Sequence, residues 1–155
     1  MITTPTQQTT RQARKQTMTP LLALCLGYFM TILDVTIVNI ALVDIKKHLG
    51  ANVTGLQWIV DGYALIFASL LLTGGALGDK RGSRTIFLAG FALFTLASTL
   101  CSLAPSLLVL QIARAFQGLG AALLVPNSLA LLNTIYTDAR KRAQAIGIWA
   151  AGIDP

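Results

Sequence analysis

The sequence predicts an all-α polytopic membrane protein with four full transmembrane helices and a partial fifth. Three observations point there. The 155 residues are 54% hydrophobic and only 12% charged, where a soluble domain carries about a quarter charged residues; mean hydropathy is +0.67. The apolar residues fall in runs of about 20, the length at which a helix rising about 1.5 Å per residue crosses a hydrocarbon core about 30 Å thick. The basic residues sit in short clusters between those runs. A net charge of +6 on one patch would suggest nucleic acid, but this distribution does not form one, and no nucleic-acid partner is expected.

Residues 1–19 precede the first run. They are rich in Thr and Gln, carry Arg11, Arg14 and Lys15, and lack apolar periodicity, so a disordered cytoplasmic tail is expected. The next run is too long for a signal-peptide core and contains Asp34 and Asn39, so a cleavable leader is not expected. The expected spans are Pro20 to Leu42, Leu56 to Gly78, Thr85 to Leu103 and Ser106 to Leu132. Together with their loops they make a four-helix transmembrane part over 20–142. A shorter apolar stretch, 143–155, has about half the residues of a span and reads as the truncated start of a fifth helix, or as a short interfacial segment.

Loops rich in Lys and Arg stay in the cytoplasm. The tail, Lys80-Arg81-Arg84 and Arg140-Lys141-Arg142 fall on one side, and Lys46 and Lys47 on the other. The expected N-terminus is therefore cytoplasmic. Cys25 and Cys101 belong to opposite ends of their spans, too far apart in depth to pair. His48, beside Lys46 and Lys47, reads as a solvated loop residue.

Asp34, Asp61 and Arg114 lie inside the spans, where a charge costs about 2.5 to 3.5 kcal/mol on insertion scales and demands a partner, a wet cavity or a function. Counting helical rise from the span ends puts Asp34 about 21 Å, Asp61 about 22 Å and Arg114 about 18 Å above the inner face. An acid on the first helix level with an arginine on the fourth reads in two ways. It is a carboxylate that takes a proton or cationic solute from one side and releases it to the other, or a structural ion pair that registers two helices. Asp61, near Trp58 and Tyr63, is a third coupling candidate or a hydrated interfacial residue.

Other polar and small residues read as packing. Asn39 is expected to hydrogen-bond between helices. Gly74 and Gly78 form a Gly-x-x-x-Gly pair that allows close backbone approach. Arg114, Gln117, Gly118 and Ala121 share one face of the fourth span, with Gly120 beside them, and should look into the bundle. Pro126 should bend the lower half of that helix.

Three segments carry a resemblance. Gly75-Ala76-Leu77-Gly78-Asp79-Lys80-Arg81-Gly82-Ser83-Arg84, Leu110-Gln111-Ile112-Ala113-Arg114-Ala115-Phe116-Gln117-Gly118-Leu119-Gly120-Ala121-Ala122 and Leu33-Asp34-Val35-Thr36-Ile37-Val38-Asn39-Ile40-Ala41-Leu42 are the three, the last of them coming first along the chain. They resemble the loop between helices two and three, the fourth helix and the first helix of the major facilitator superfamily (MFS). The first-helix segment is similar to that of its fourteen-helix drug:proton antiporter branch. Ser83 replaces a basic residue of the loop pattern, and Val43 stands where the branch has Pro. The resemblance implies the N-terminal portion of an MFS helical bundle, about the first third of a proton-coupled multidrug efflux antiporter. Its bilayer would be the bacterial cytoplasmic membrane and its cargo protons and small lipophilic or cationic solutes, and its missing C-terminal half would be a partner. It implies coupling at Asp34 tuned by Arg114, and gating by Gly75, Gly78, Asp79, Lys80, Arg81, Gly82 and Arg84. Gly147 and Gly152 would open the branch's Gly-Pro-rich fifth-helix motif.

Alternatives stay open. One is an MFS carrier of another small solute, and another is a truncated, non-transporting membrane protein. A complete small multidrug exporter of four helices fits the length, but those use a first-helix Glu, and this chain has none. No nucleophile, metal cluster or phosphate loop stands out, so no enzyme activity, catalytic residue, metal or cofactor is expected.

Overall fold

The structure, a computed structural model, describes the backbone of residues 5–151 and the side chains of 22–151 other than Leu49. Five helices follow one another: α1 Pro5–Leu49, α2 Val53–Arg81, α3 Ser83–Ser102, α4 Leu107–Ile135 and α5 Ala139–Ala150. Within the first four, Leu22–His48, Val53–Arg81, Ser83–Ser102 and Leu107–Ile135 are long and apolar enough to cross a membrane. The chain is an all-α multi-pass membrane protein.

The ends differ from expectation by a few residues, for local reasons. Asn52 starts α2 early, its side chain accepting from the Gly55 N–H at 2.8 Å in the manner of an N-cap. Gly82 separates α2 from α3 with φ of 90°, a conformation glycine reaches without strain, and its N–H closes α2 on the Gly78 carbonyl at 2.8 Å. The larger correction is at the N-terminus. Residues 5–19 are helical backbone continuous with α1, not an unstructured tail. Pro5 suits a first helical position, and the Gln, Arg, Lys and Ala residues after it are good helix formers. Residues 1–4 and 152–155, with Gly152, lie outside the described residues.

The fifth helix also begins earlier than expected. Asp138 caps α5, its carboxylate accepting from the backbone N–H groups of Arg140 at 2.9 Å and Lys141 at 3.2 Å. The bonds from Lys141 and then Arg140 hold its pKa below the usual 3.8. A depressed carboxylate contributes stability that is present above its unfolded pKa and lost as pH falls through the folded value. Amide exchange protection at residues 140 and 141 is therefore expected to be constant at neutral pH and to collapse below 3.8. Asp138→Ala should remove that protection at every pH.

α4 is the centre of the bundle. Half of its membrane-spanning window is buried, against 11% for α1 and 17% for α2. Its small residues make this possible. A Cβ on Gly118 would lie 2.6 Å from the Tyr63 carbonyl of α2, and one on Gly120 2.8 Å from the Phe94 nitrogen of α3. Backbones this close gain van der Waals contact where lipid supplies no hydrophobic drive. Pro126 sits within a continuous α4 and has no N–H for the Ala122 carbonyl, four residues back. Gly74 of α2 packs on that same oxygen. Close by, α5 joins α1 and α4 through Tyr28 stacked on Trp149 at 4.2 Å and the Trp149 indole N–H donating to Ser128 Oγ at 3.2 Å.

Candidate functional site

Arg114 is 1% exposed and the largest fully buried side chain among the described residues. The α4 backbone sets it against both neighbours. Its Nε donates to the Ile59 carbonyl of α2 at 3.3 Å, and its guanidinium carbon lies 4.3 Å from the centre of the Tyr63 ring. Ile59 and Tyr63 are four residues apart, so they offer these contacts from one face of α2. Its Nη1 donates to Asp34 Oδ2 of α1 and, at 2.9 Å, to Gln117 Oε1. A planar guanidinium spreads its donors over separate nitrogens and so reaches all three partners at once, where an ammonium offers its donors from a single point.

Asp34 is the anionic member, and its other oxygen accepts from Gln117 Nε2 at 2.5 Å. Gln117 Nε2 also donates to Ser98 Oγ at 2.9 Å, and Gln117 Oε1 accepts from Cys101 Sγ at 3.3 Å. The network thus ties α1, α2, α3 and α4 together in one layer. Asp34 lines a cleft of about 580 Å³ between α1 and α3, shared with Met30, Phe94, Ser98 and Cys101. Arg114 lines a second cleft of about 350 Å³ between α1 and α2, with Asn39, Tyr63 and Phe67. The ion pair stands between the two. A carboxylate that is ionised, paired and open to a cleft on one side can exchange a proton or a cation without unfolding its surroundings.

The structure brings Asp34, Arg114 and Gln117 together and leaves Asp61 out. Asp61 is half-buried and two residues from Ile59, about 200° around α2, so it faces away from the pair despite its matching depth. Asn39 is a further correction. It is exposed on α1 at the edge of the second cleft and makes no interhelical hydrogen bond to the described residues, because α1 is the span least covered by the others. Gln117, expected only to pack, is the hub. Ser98, Cys101 and Tyr63 were not singled out as members of the site. Their one sequence cue is level: each sits at an outer-half position of its span.

The loop Gly75 to Arg84 lies at the opposite end of α2. Gly75 contacts Pro126, and Gly78 is buried against Asn127. Asp79, Lys80, Arg81, Gly82 and Arg84 are exposed, and among the described residues none of them forms an ion pair. Both cysteines carry free thiols. Among the described residues no three His, Cys, Asp or Glu side chains gather as a metal set.

The profile of the Major Facilitator Superfamily matches residues 24–154, which takes in every member of the network. The chain belongs to this superfamily. A methylenomycin A resistance protein of Bacillus subtilis (strain 168) is 50% identical over 131 residues, 84% of this chain and 28% of that protein. The multidrug resistance protein Stp of Mycobacterium tuberculosis (strain ATCC 25618 / H37Rv) is 47% identical over 131 residues, 84% of this chain and 24% of that protein. The cephamycin export protein CmcT of Amycolatopsis lactamdurans is 40% identical over 145 residues, 93% of this chain and 30% of that protein. The chain spans less than a third of the length of these MFS relatives.

Proposed function

We propose that this MFS chain is the N-terminal portion of a proton-coupled drug exporter of a bacterial cytoplasmic membrane, with its N-terminus in the cytoplasm. The observation that carries the proposal is the Asp34–Arg114 pair, set between two clefts, with Gln117 donating to Asp34 and the Ile59 carbonyl of α2 accepting from Arg114. Resistance and export in the names of the bacterial relatives support the drug as cargo. The excess of Lys and Arg on the tail, on the loop after α2 and at the start of α5 supports the orientation.

In this reading Asp34 alternates between a paired carboxylate and a neutral acid. Protonation cancels its attraction to Arg114, and α1 loses its charged tie to α4. Arg114 does not follow, because Ile59, Tyr63 and Gln117 still hold it. Asp79 with Lys80, Arg81 and Arg84 gates the inner side, and the remaining helices of the transporter close the path, since MFS carriers work by rocking one half against the other.

Asp34→Asn is close in shape and cannot ionise. In everted membrane vesicles carrying the complete transporter, added drug should dissipate an imposed proton gradient with the wild-type protein and fail to do so with Asp34→Asn, at equal membrane content. Undiminished exchange in the variant would overturn the coupling role.

A further inference from the structure

The guanidinium of Arg114 has one nitrogen to spare. Nε donates to the Ile59 carbonyl, and Nη1 to Asp34 and Gln117. Nη2, which also carries N–H donors, has no hydrogen-bond partner among the described residues. It is not sealed off either. Asn127 Oδ1 is the one fully buried polar side-chain atom without a partner among those residues, so Nη2 keeps an opening although Arg114 as a whole is only 1% exposed. Arg114 lines the cleft of about 350 Å³ between α1 and α2.

Tyr63 repeats the pattern on the same cleft. Its ring lies under the guanidinium and the residue is 8% exposed. Its hydroxyl too has no partner among the described residues, and it too is not sealed. Two helices, α4 and α2, thus bring an unused donor to one cleft. A buried donor without an acceptor is unfavourable, and a ligand oxygen would relieve both.

The rest of the cleft says what carries that oxygen. Val35, Val60 and Ala64 wall it, and past Tyr63 and Phe67 it continues into a cleft of about 360 Å³ beside Tyr28. Thr31 and Thr36 on that side already donate their hydroxyl hydrogens to the carbonyls of Tyr28 at 2.6 Å and Ile32 at 3.1 Å. No carboxylate lines either cleft, since Asp34 opens to the other side, between α1 and α3. A cationic solute would meet the guanidinium with no anion beside it. An anionic one would set a second carboxylate on the group that already holds Asp34. Both placements are repulsive, and an uncharged solute avoids them.

We infer that the α1–α2 cleft is a cargo subsite for an uncharged, apolar solute bearing a carbonyl, whose oxygen accepts from Arg114 Nη2 with the Tyr63 hydroxyl as a second donor. Asp34 takes Nη1 and the cargo Nη2, so proton and cargo occupy two ends of one planar group. The inference rests on the proposed export function and narrows its cargo.

Four probes on one ring system test it with the complete transporter, purified in detergent. They are 2-acetylnaphthalene, which has the carbonyl, 2-ethylnaphthalene, which lacks it, the anion 2-naphthoate and the cation trimethyl(2-naphthyl)ammonium. A ligand that binds only the folded state raises the melting midpoint in step with its concentration over Kd. The ketone should raise the midpoint at concentrations where the other three do not. Tyr63→Phe keeps the ring beneath Arg114 and should weaken the ketone about fivefold, the worth of one neutral hydrogen bond. A shift from any of the other three as large as that from the ketone would overturn the subsite, and this comparison uses the wild-type protein alone. Unchanged ketone affinity in Tyr63→Phe would overturn Tyr63 as a donor. Asp34→Asn separates the subsite from the coupling role: the ketone should still bind while proton exchange is lost. Ketone binding with exchange retained in that variant would overturn the coupling role alone.

Discussion

Replacing Arg114 by Leu is expected to destabilise the protein by about 3 to 5 kcal/mol, the cost of stranding one partner of a buried ion pair. It should also abolish drug-dependent proton exchange. The loss arises on three sides. Asp34 keeps the Gln117 donor but loses its counter-charge, the Ile59 carbonyl loses the Nε–H donor from α4, and the Tyr63 ring loses the cation above it. Arg114→Lys restores the charge without the fork, so it should recover part of the stability and little of the activity. The decisive comparison is Arg114→Leu with Asp34→Leu in one protein. Removing both charges leaves no charge stranded, Gln117 keeps Ser98 and Cys101 as partners, and apolar replacements of buried pairs are often neutral. The double variant should therefore melt close to wild type in detergent and remain inactive in vesicles. If it melts as low as Arg114→Leu alone, the pair is not the source of the loss. If it transports, the pair is a structural tie and no more.

The spans were legible because a bilayer imposes one length on every helix that crosses it, and the apolar runs of this chain meet it. Their ends were less so, since Asn52 and Asp138 add residues through side-chain caps that a hydropathy pattern does not weigh. Depth was legible too: the rise per residue placed Asp34 level with Arg114, and the two side chains meet. Azimuth was not. Asp61 has the same depth and the wrong face, because which side of α2 meets α4 depends on Gly118 lying against Tyr63 and Gly74 against Ala122. The share of α3 in the site was hidden for the same reason. Ser98 and Cys101 reach Gln117 only because Gly90 and Gly120 let α3 and α4 approach to backbone contact, and a single sequence does not tell which small residues face each other. The tail was misread because a polar segment without an apolar stripe still extends a helix already nucleated by a span.

The close approach of α2 to α4 yields the second large effect, and two glycines one turn apart should answer differently to the same change. A Cβ on Gly74 would lie 2.2 Å from the Ala122 backbone oxygen, and a Cβ on Gly78 would lie 1.6 Å from Asn127 Oδ1. Both are impossible contacts, and overpacking costs about 1 to 3 kcal/mol. The Gly78 clash is with the end of a side chain. Asn127→Ala removes that end, at the cost of its Nδ2 bonds to the Gly74 and Leu123 carbonyls at 2.9 and 2.7 Å. Gly78→Ala combined with Asn127→Ala should therefore be no less stable than Asn127→Ala alone, a favourable coupling of about 1 to 2 kcal/mol between touching residues. Gly74→Ala has no such remedy, because the oxygen it meets belongs to the backbone that Pro126 leaves without its usual partner. It should force α2 off α4, and with it the Tyr63 platform beneath Arg114. The expected result is a lower melting midpoint together with lost proton exchange in Gly74→Ala, against a lower midpoint with exchange retained in the Gly78→Ala, Asn127→Ala pair. Equal loss of exchange in both would mean that the α2–α4 seam acts on the site as one rigid unit, and not through the position of Tyr63.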